Sequence, residues 1–490
     1  MKKRIFIPVM LIMMLMIVAF NANTSDIPMA LTESYDTEQS SVNVFEKSTV
    51  NTISHQNEEK QVTITFTDYD YLQSKWQPII DQFNLENPNI SVEFVPLVSD
   101  FVEGIQPSDT PERAMKADTS VVFVIPAETS PYLLDLQPLM DVDSDFQADD
   151  FWPAARQACL DPLGRPMGLP LNLSANVIFY DEEVFDQADL ATPQPGWTIE
   201  DFKTTIDSLN QLAETGYSFA DAPFESILQS VITQNISNHG GQLDPQTLES
   251  EIDWFIQSVK EGKVYPFHSW DYSDTDNDIY KAWQIPFQSS QPPVLWIGNL
   301  RSPYPELSID PAGATDVTIT IENSPFTHLA IDRYGVAPFP VGNSTDAQNS
   351  TPVTSMGCAV ISAGSQNPQA AWKWINYLTN YWYGENDPLL SNQVLAPSRI
   401  SVTNNSGYWQ AIPGEAMDSV NFALSHSFNA QGLYYEKTQI VYKALDRVFA
   451  SEITLRDALL EAQAEIAALP EPVLETIQPF VVPSSESIKE

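Results

Sequence analysis

The chain has 490 residues, 43% of them apolar, enough to bury a large core and, at the usual domain size, to fill at least two globular units. A disordered or fibrous protein is excluded. Against 23 basic residues stand 65 acidic ones, a formal charge of −42. A surface of that sign repels polyanions, so nucleic acid and anionic lipid headgroups are excluded as partners, and the charge reads first as solubility in an external or salty medium.

Met1-Lys2-Lys3-Arg4 followed by the apolar run Ile5 to Phe20 has the positive and hydrophobic regions of a secretory signal, so residues 1–22 are predicted to be a signal peptide or an N-terminal anchor. The cleavage pattern is poor, because Phe20 stands two positions before Ala22, and retention as a membrane tether is the alternative. No cysteine lies near this run to carry a thioether-linked lipid. Residues 23–60 are rich in Ser, Thr, Asn, Gln and Glu without an apolar period, which predicts a flexible tether.

The folded body is expected from about Gln61. Val62, Ile64 and Phe66 alternate with threonines as in a strand, and Leu72, Trp76, Ile79, Ile80 and Phe83 then follow a helical period with a kink expected at Pro78. A second strand is predicted over Ile90 to Val95 and a fully buried one over Val121 to Ile125. Strand, helix, strand implies an α/β layer. Further on, Thr198 and Asp201 form a capping box before a helix carrying Phe202, Ile206 and Leu209 on one face. A strand is expected over Pro293 to Ile297. Asn367-Pro368 reads as a cap and first turn for a stripe of Ala371, Trp374, Ile375 and Leu378. A last helix is expected after Thr454, with Leu455, Ala458, Leu459, Ala462 and Ile466 on one side. Trp76, Trp152, Trp372 and Trp374 are predicted core, whereas Trp270 and Trp409 sit in polar loops. Cys159 and Cys358 are the only cysteines. A disulfide and two buried thiols are equally compatible with the sequence, which does not show their separation.

Motifs for chemistry are mostly missing. His55, His239, His268, His328 and His426 are scattered, and none lies in the HExxH arrangement of a zinc enzyme. There is no GxSxG elbow, no GxxxxGK[ST] loop and no GxGxxG loop, which argues against a serine hydrolase and against nucleotide cofactors. The run Asp271 to Asp278 has the alternate spacing of a calcium loop, but Ile279 stands where that turn needs glycine, so a solvated acidic loop is expected and neither metal nor cofactor is implied. A carboxylate pair at glycosidase spacing could still be assembled in space, which leaves an exported glycoside hydrolase or another carbohydrate-active surface protein as the rival reading.

Four segments in order, VTITFTDYDYLQSKWQPIIDQFNLENPNISVEFV at 62–95, MGLPLNLSANVIFYDEEVFDQADL at 167–190, PGWTIEDF at 195–202 and GCAVISAGSQNPQAAWKWINYLTN at 357–380, resemble the bacterial extracellular solute-binding proteins of sugar ABC transporters, the family that includes maltose-binding protein. Two departures, Tyr180-Asp181 and Asn299-Leu300, bear on the ligand and leave the fold intact. The resemblance implies a two-lobe α/β fold of the periplasmic-binding-protein type, each lobe a sheet flanked by helices, with several hinge crossings. It places lobe one at 61–172 and 335–395, lobe two at 176–330 and 396–480, and a tail at 481–490. It further implies a monomeric receptor that is not an enzyme, captures a carbohydrate between its lobes and delivers it to the permease subunits of an importer. By position, the implied ligand contacts are Tyr69, Asp70, Ser174, Met356 and Gly357, then Asn299, Tyr434 and Tyr435, with Trp270 and Trp409 as open aromatics. Aromatic faces for sugar C–H surfaces and polar groups for hydroxyls are the mixture such a ligand needs.

Overall fold

The structure, a computed structural model, describes residues 61–97, 109–123, 125–212, 218–220, 227–265, 293–299, 334–342, 351–355, 357–381, 395–429, 432–470 and 476–484. Its described strands fall into two sheets. The first holds β1 (Val62–Tyr69), β2 (Ile90–Leu97), β3 (Thr119–Val122), β4 (Gly168–Pro170) and, from much later in the chain, β11 (Cys358–Ile361), in the order β2-β1-β3-β11-β4. β1 runs parallel to β2 and β3, and β11 runs antiparallel to β3 and β4. The second sheet follows the order β13-β10-β5-β8-β6-β7, built from β5 (Asn172–Asp181), β6 (Phe219–Ala220), β7 (Val264–Tyr265), β8 (Leu295–Asn299), β10 (Thr351–Ser355) and β13 (Ser427–Asn429). β9 (Tyr334–Ala337) and β12 (Ala396–Pro397) also pair with β5.

The period-two pattern of β1 does what the sequence predicts. Ile64 and Phe66 enter a cluster with Trp76, Ile80, Phe83, Trp374 and Leu378. On the opposite face, Thr65 donates through its backbone N–H and its hydroxyl to Asp118, both at 2.9 Å, and Thr67 donates to the Val95 carbonyl at 2.6 Å. The helix Gln73–Glu86 continues through Pro78. The strand expected as far as Ile125 stops at Val122, and the one expected over Pro293 to Ile297 runs from Leu295 to Asn299. The capping box forms as read: the Thr198 N–H donates to Asp201 at 2.8 Å and the Asp201 N–H to the Thr198 hydroxyl at 3.1 Å. Thr454 caps its helix in the same way, accepting from the Asp457 N–H at 3.1 Å. Asn367 stands at the cap position of the helix Pro368–Leu378 but makes no side-chain cap bond, leaving Pro368 to start the first turn.

β5 alternates between two cores. Leu173, Val177 and Phe179 join Trp296, Tyr408 and Val420 on one side of the second sheet, while Ile178 and Tyr180 join Phe202, Phe219, Ile232, Val441 and Leu459 on the other. Pairing with β5 settles where the chain after residue 333 goes. β9 and β10, which the sequence reading placed in the first lobe with 335–395, hydrogen-bond into the second sheet instead. Two other stretches also join the sheet opposite to the one expected. The Trp152 indole donates to Thr403 at 3.1 Å and the Ala154 N–H to Ser427 at 3.1 Å, which fixes 152–154 onto the second sheet's elements. Past the last helix, Leu455–Ala468, the chain returns to the first sheet's side, where the Val482 N–H donates to the Gly364 carbonyl at 3.1 Å and Phe480 lies against Tyr132.

Among the described residues, three crossings join strands of one sheet to the other: β4 to β5 through Leu171, β10 to β11 through Gly357, and the chain entering β12 through Leu395. They meet at one residue. The Leu171 N–H donates to the Gly357 carbonyl at 3.0 Å, and the Leu171 carbonyl accepts from the Ser398 N–H at 3.2 Å. Gly357 has φ +121°, and a Cβ there would lie 3.1 Å from Val121 Cγ1, so this crossing requires glycine. Next to it, Cys358 forms a disulfide with Cys159, with Cα atoms 5.6 Å apart and a sequence separation of 199.

Replacing both cysteines by serine is expected to lower the unfolding free energy by about 2–5 kcal/mol, through loss of a long loop closure. Urea unfolding of the oxidised, reduced and double-serine proteins measures it, and an unchanged midpoint in all three contradicts a structural bond. Trp374→Ala, at a fully buried position, is expected to cost about 3–5 kcal/mol in the same assay.

Candidate functional site

The register places the end of β1 beside the crossings. Thr67 pairs with Ser120, and two residues further along β3 Val122 pairs with Cys358, which itself pairs with Pro170. Tyr69 therefore stands on the edge of the first sheet from which the Leu171 and Gly357 crossings leave. Open α/β sheets bind ligands outside such carboxyl ends, where loops rather than strands meet the ligand.

This edge is held by a buried ion pair. Arg113, on the helix Thr110–Lys116, contacts the Asp68 carboxylate at 2.9 Å, and Asp68 also accepts from the Trp76 indole and from the Tyr69 N–H, both at 2.9 Å. The Arg113 guanidinium carbon lies 4.4 Å from the centre of the Tyr69 ring, Tyr71 stacks on Tyr69 with centroids 5.6 Å apart, and the Tyr69 hydroxyl donates to Asp109. Burial opposes the charge on Arg113, but Asp68 and Tyr69 outweigh it and keep the group firmly cationic. Burial, helped by the bond to Asp109, holds the Tyr69 phenol far above its usual range. Burial and then the Asp68 charge push Tyr71 up to about 12. Asp70 is exposed, with its carboxylate on the Tyr71 N–H at 2.8 Å. The edge thus presents the partly buried Tyr71 ring and the exposed Asp70 carboxylate over the buried Tyr69 and its ion pair.

On the second sheet, β5 starts at the crossing. Asn172, Ser174 and Asn176 occupy every second position and share one face. Asn299 ends β8 opposite Asn176, and Thr354 of β10 stands opposite Ser174. β13 runs parallel to β10 and ends at Asn429 near the same edge; Tyr434 and Tyr435 follow after a turn closed by the Tyr435 N–H on the Gly432 carbonyl at 3.0 Å. Both tyrosines are half-buried at the start of the helix Tyr435–Phe449, and burial pushes Tyr435 up to about 12.

Of the residues predicted from sequence, Tyr69, Asp70 and Gly357 lie at the crossing edge of the first sheet, and Ser174 and the backbone of Asn299 lie on β5 and β8 of the second, with Tyr434 and Tyr435 beyond β13. Trp409 does not join them. It packs against the cluster on the other face of the second sheet, with its indole N–H on Asn404 at 3.1 Å. Trp270, Met356 and the acidic run Asp271 to Asp278 lie outside the described residues. Among the described residues, no group of three or more His, Cys, Asp or Glu side chains is placed to hold a metal ion. Sequence reasoning missed Asp68, Arg113 and Asn172. The alternation Asn172-Leu173-Ser174-Ala175-Asn176 was a signal for the last, whereas the pairing of Asp68 with Arg113 across 45 residues had none.

Residues 78–381 match the profile of the bacterial extracellular solute-binding proteins. The chain belongs to this family. A Brucella abortus relative described as a binding protein is 22% identical over 312 residues, covering 60% of this chain and 66% of the relative, so the chain spans slightly less than two thirds of its length. Among solved structures, a sugar transporter from Rhizobium etli in an open conformation superposes with a TM-score of 0.58 at 14% identity, over 84% of this chain and all of that one. The sugar-binding protein MalE from Xanthomonas citri does so with a TM-score of 0.54 at 14% identity, over 83% and 96% of the two chains. At such identity the likeness is one of fold, and it establishes this solute-binding protein as a two-lobe α/β molecule.

The raised phenols give a pH dependence with a definite sign. Below pH 10 Tyr71 and Tyr435 are protonated in both the folded and the unfolded chain. Between pH 10 and about 12 the unfolded chain releases protons that the fold retains, so stability falls as pH rises. Urea midpoints at pH 8, 10 and 11 are expected to be level and then to decline; a midpoint unchanged at pH 11 contradicts the burial of these groups.

Proposed function

We propose that this solute-binding protein is an exported receptor that closes two lobes around a carbohydrate and hands it to the permease of an ABC importer. Lobe one comprises the first sheet with the described residues among 61–150, 158–170, 358–381 and 476–484, and lobe two the second sheet with the described residues among 151–157, 172–355 and 396–468. The observation that carries the reading is the meeting of all three crossings at Leu171, between two sheet edges that bear aromatic and polar groups. A joint built from short crossings lets two rigid bodies rotate with little disturbance of either core. Tyrosine rings beside amide, hydroxyl and carboxylate groups suit the apolar faces and hydroxyl rims of sugars. The sugar-related descriptions of the Rhizobium etli and Xanthomonas citri structures support the same ligand class. Export follows from the extracellular nature of the family together with the basic and apolar start of the chain; the N-terminal segment acts as a signal or retained anchor and 23–60 as a tether. Among the described residues no helix is long and apolar enough to cross a membrane.

The test is a thermal-shift screen of residues 61–490 against a glycan panel, with scattering on any hit. A sugar at a hundred times its Kd is expected to stabilise the protein by about 2.7 kcal/mol by mass action, to shrink the radius of gyration and to be recovered intact. Hydrolysed glycan in the same tubes would establish the rival glycosidase, and an unchanged radius at saturation would refute closure.

A further inference from the structure

Two buried polar atoms at the joint lack a partner among the described residues, the Ser398 hydroxyl oxygen and the Asn172 amide oxygen, and the second begins a polar row. Asn172, the first residue of β5, is 3% exposed, and among the described residues its Oδ1 has no hydrogen-bond partner. A buried amide oxygen without a donor is uncommon, because burial strips it of water and nothing replaces the lost bond. Its position is specific. Asn172 directly follows Leu171, where the three crossings are joined, and pairs with Pro397 of β12. Proline has no N–H, so the backbone opposite offers no donor there. Asn172 also begins the polar row that Ser174 and Asn176 continue on the same face of β5, before Ile178 and Tyr180 take that face into the core.

We propose that Asn172 Oδ1 accepts a hydrogen bond from a hydroxyl of the bound solute, and that this makes the site selective for neutral polyhydroxyl solutes over their carboxylated or phosphorylated counterparts. The inference rests on the proposed receptor function and adds the residue that reads the ligand's charge. An amide oxygen is satisfied by an O–H donor. A carboxylate or phosphate at neutral pH brings acceptor oxygens to an acceptor, in a chain of formal charge −42. Loss of a hydrogen bond matters most where the partner left behind is buried, which is the situation of a sugar hydroxyl closed against this residue.

The experiment is calorimetric titration of wild type, Asn172→Ala and Asn172→Leu with neutral monosaccharides, disaccharides and alditols, and with the matching uronic acids and sugar phosphates, alongside urea unfolding of each protein. Wild type is expected to bind at least one neutral compound and to bind its anionic counterpart at least tenfold more weakly. Both variants are expected to lose about 10- to 100-fold in affinity for the neutral compound with an unfolding midpoint unchanged or raised, since an unpartnered acceptor contributes nothing to the fold. Equal binding by wild type and both variants overturns the proposal, as does equal binding of neutral and anionic forms. A lowered midpoint in both variants would assign Asn172 a structural role and also overturn it. Wild type that binds none of the neutral compounds defeats the receptor reading itself, and this inference with it.

Discussion

Leu171 commits both of its backbone groups to other crossings, its N–H to Gly357 and its carbonyl to Ser398. Everything else in the molecule is arranged about that junction. The side chains on either side part company: Leu171 lies in the core of the first sheet, and Leu173 in a core of the second. Two hydrophobic bodies of this size can be stabilised independently, because burial energy scales with the apolar area each removes from water. The link between them needs only hydrogen bonds and a glycine at φ +121°, since bulk at Gly357 would meet Val121.

Around the junction, charge is used sparingly and is always held. Arg399, just after the third crossing, donates to the Thr379 hydroxyl at 2.7 Å and to the Asn376 amide oxygen at 2.6 Å, both at the carboxyl end of the helix Pro368–Leu378, and contacts Asp150 at 3.3 Å. Burial lowers its pKa, and the Asp150 carboxylate opposes that shift. A cation at a helix carboxyl end also meets the unpaired carbonyls and the negative end of the helix dipole. Asp68 and Arg113 do similar work at the end of β1, where they fix Tyr69 and Tyr71. Removing one member of such a pair strands a buried charge, at a typical cost of about 3–5 kcal/mol. These edges are therefore rigid platforms flanking a simple backbone joint, a division of labour suited to recognition by closure.

Much of the secondary structure was legible along the chain. The threonine-spaced apolar residues of β1, the capping box at Thr198, the helix start after Thr454 and the tryptophans predicted as core all reflect local rules, a period of two or 3.6 or a three-residue reach, that need no knowledge of the rest of the molecule. The site was legible only in outline. Tyr69 was singled out because it follows a recognisable strand, and Ser174 because the family resemblance places a polar contact on that crossing. Asn172, at the start of the same strand, was placed at the end of lobe one and not singled out, and Trp409, open by its polar neighbours in sequence, turned out to cover the far face of the second sheet.

By itself, the sequence determined the class of the protein: its α/β layers, its family resemblance, its acidic surface and the absence of nucleotide or zinc motifs. These are properties of composition and of short windows. Tertiary structure decided which sheet each later segment joins, the bond between Cys159 and Cys358, the pairing of Asp68 with Arg113 and the convergence on Leu171. The reason is physical. Each of these depends on contacts between residues tens to hundreds of positions apart, and a strand such as β9 or β10 carries the same apolar pattern whichever sheet receives it. Only the register with β5 distinguishes the two.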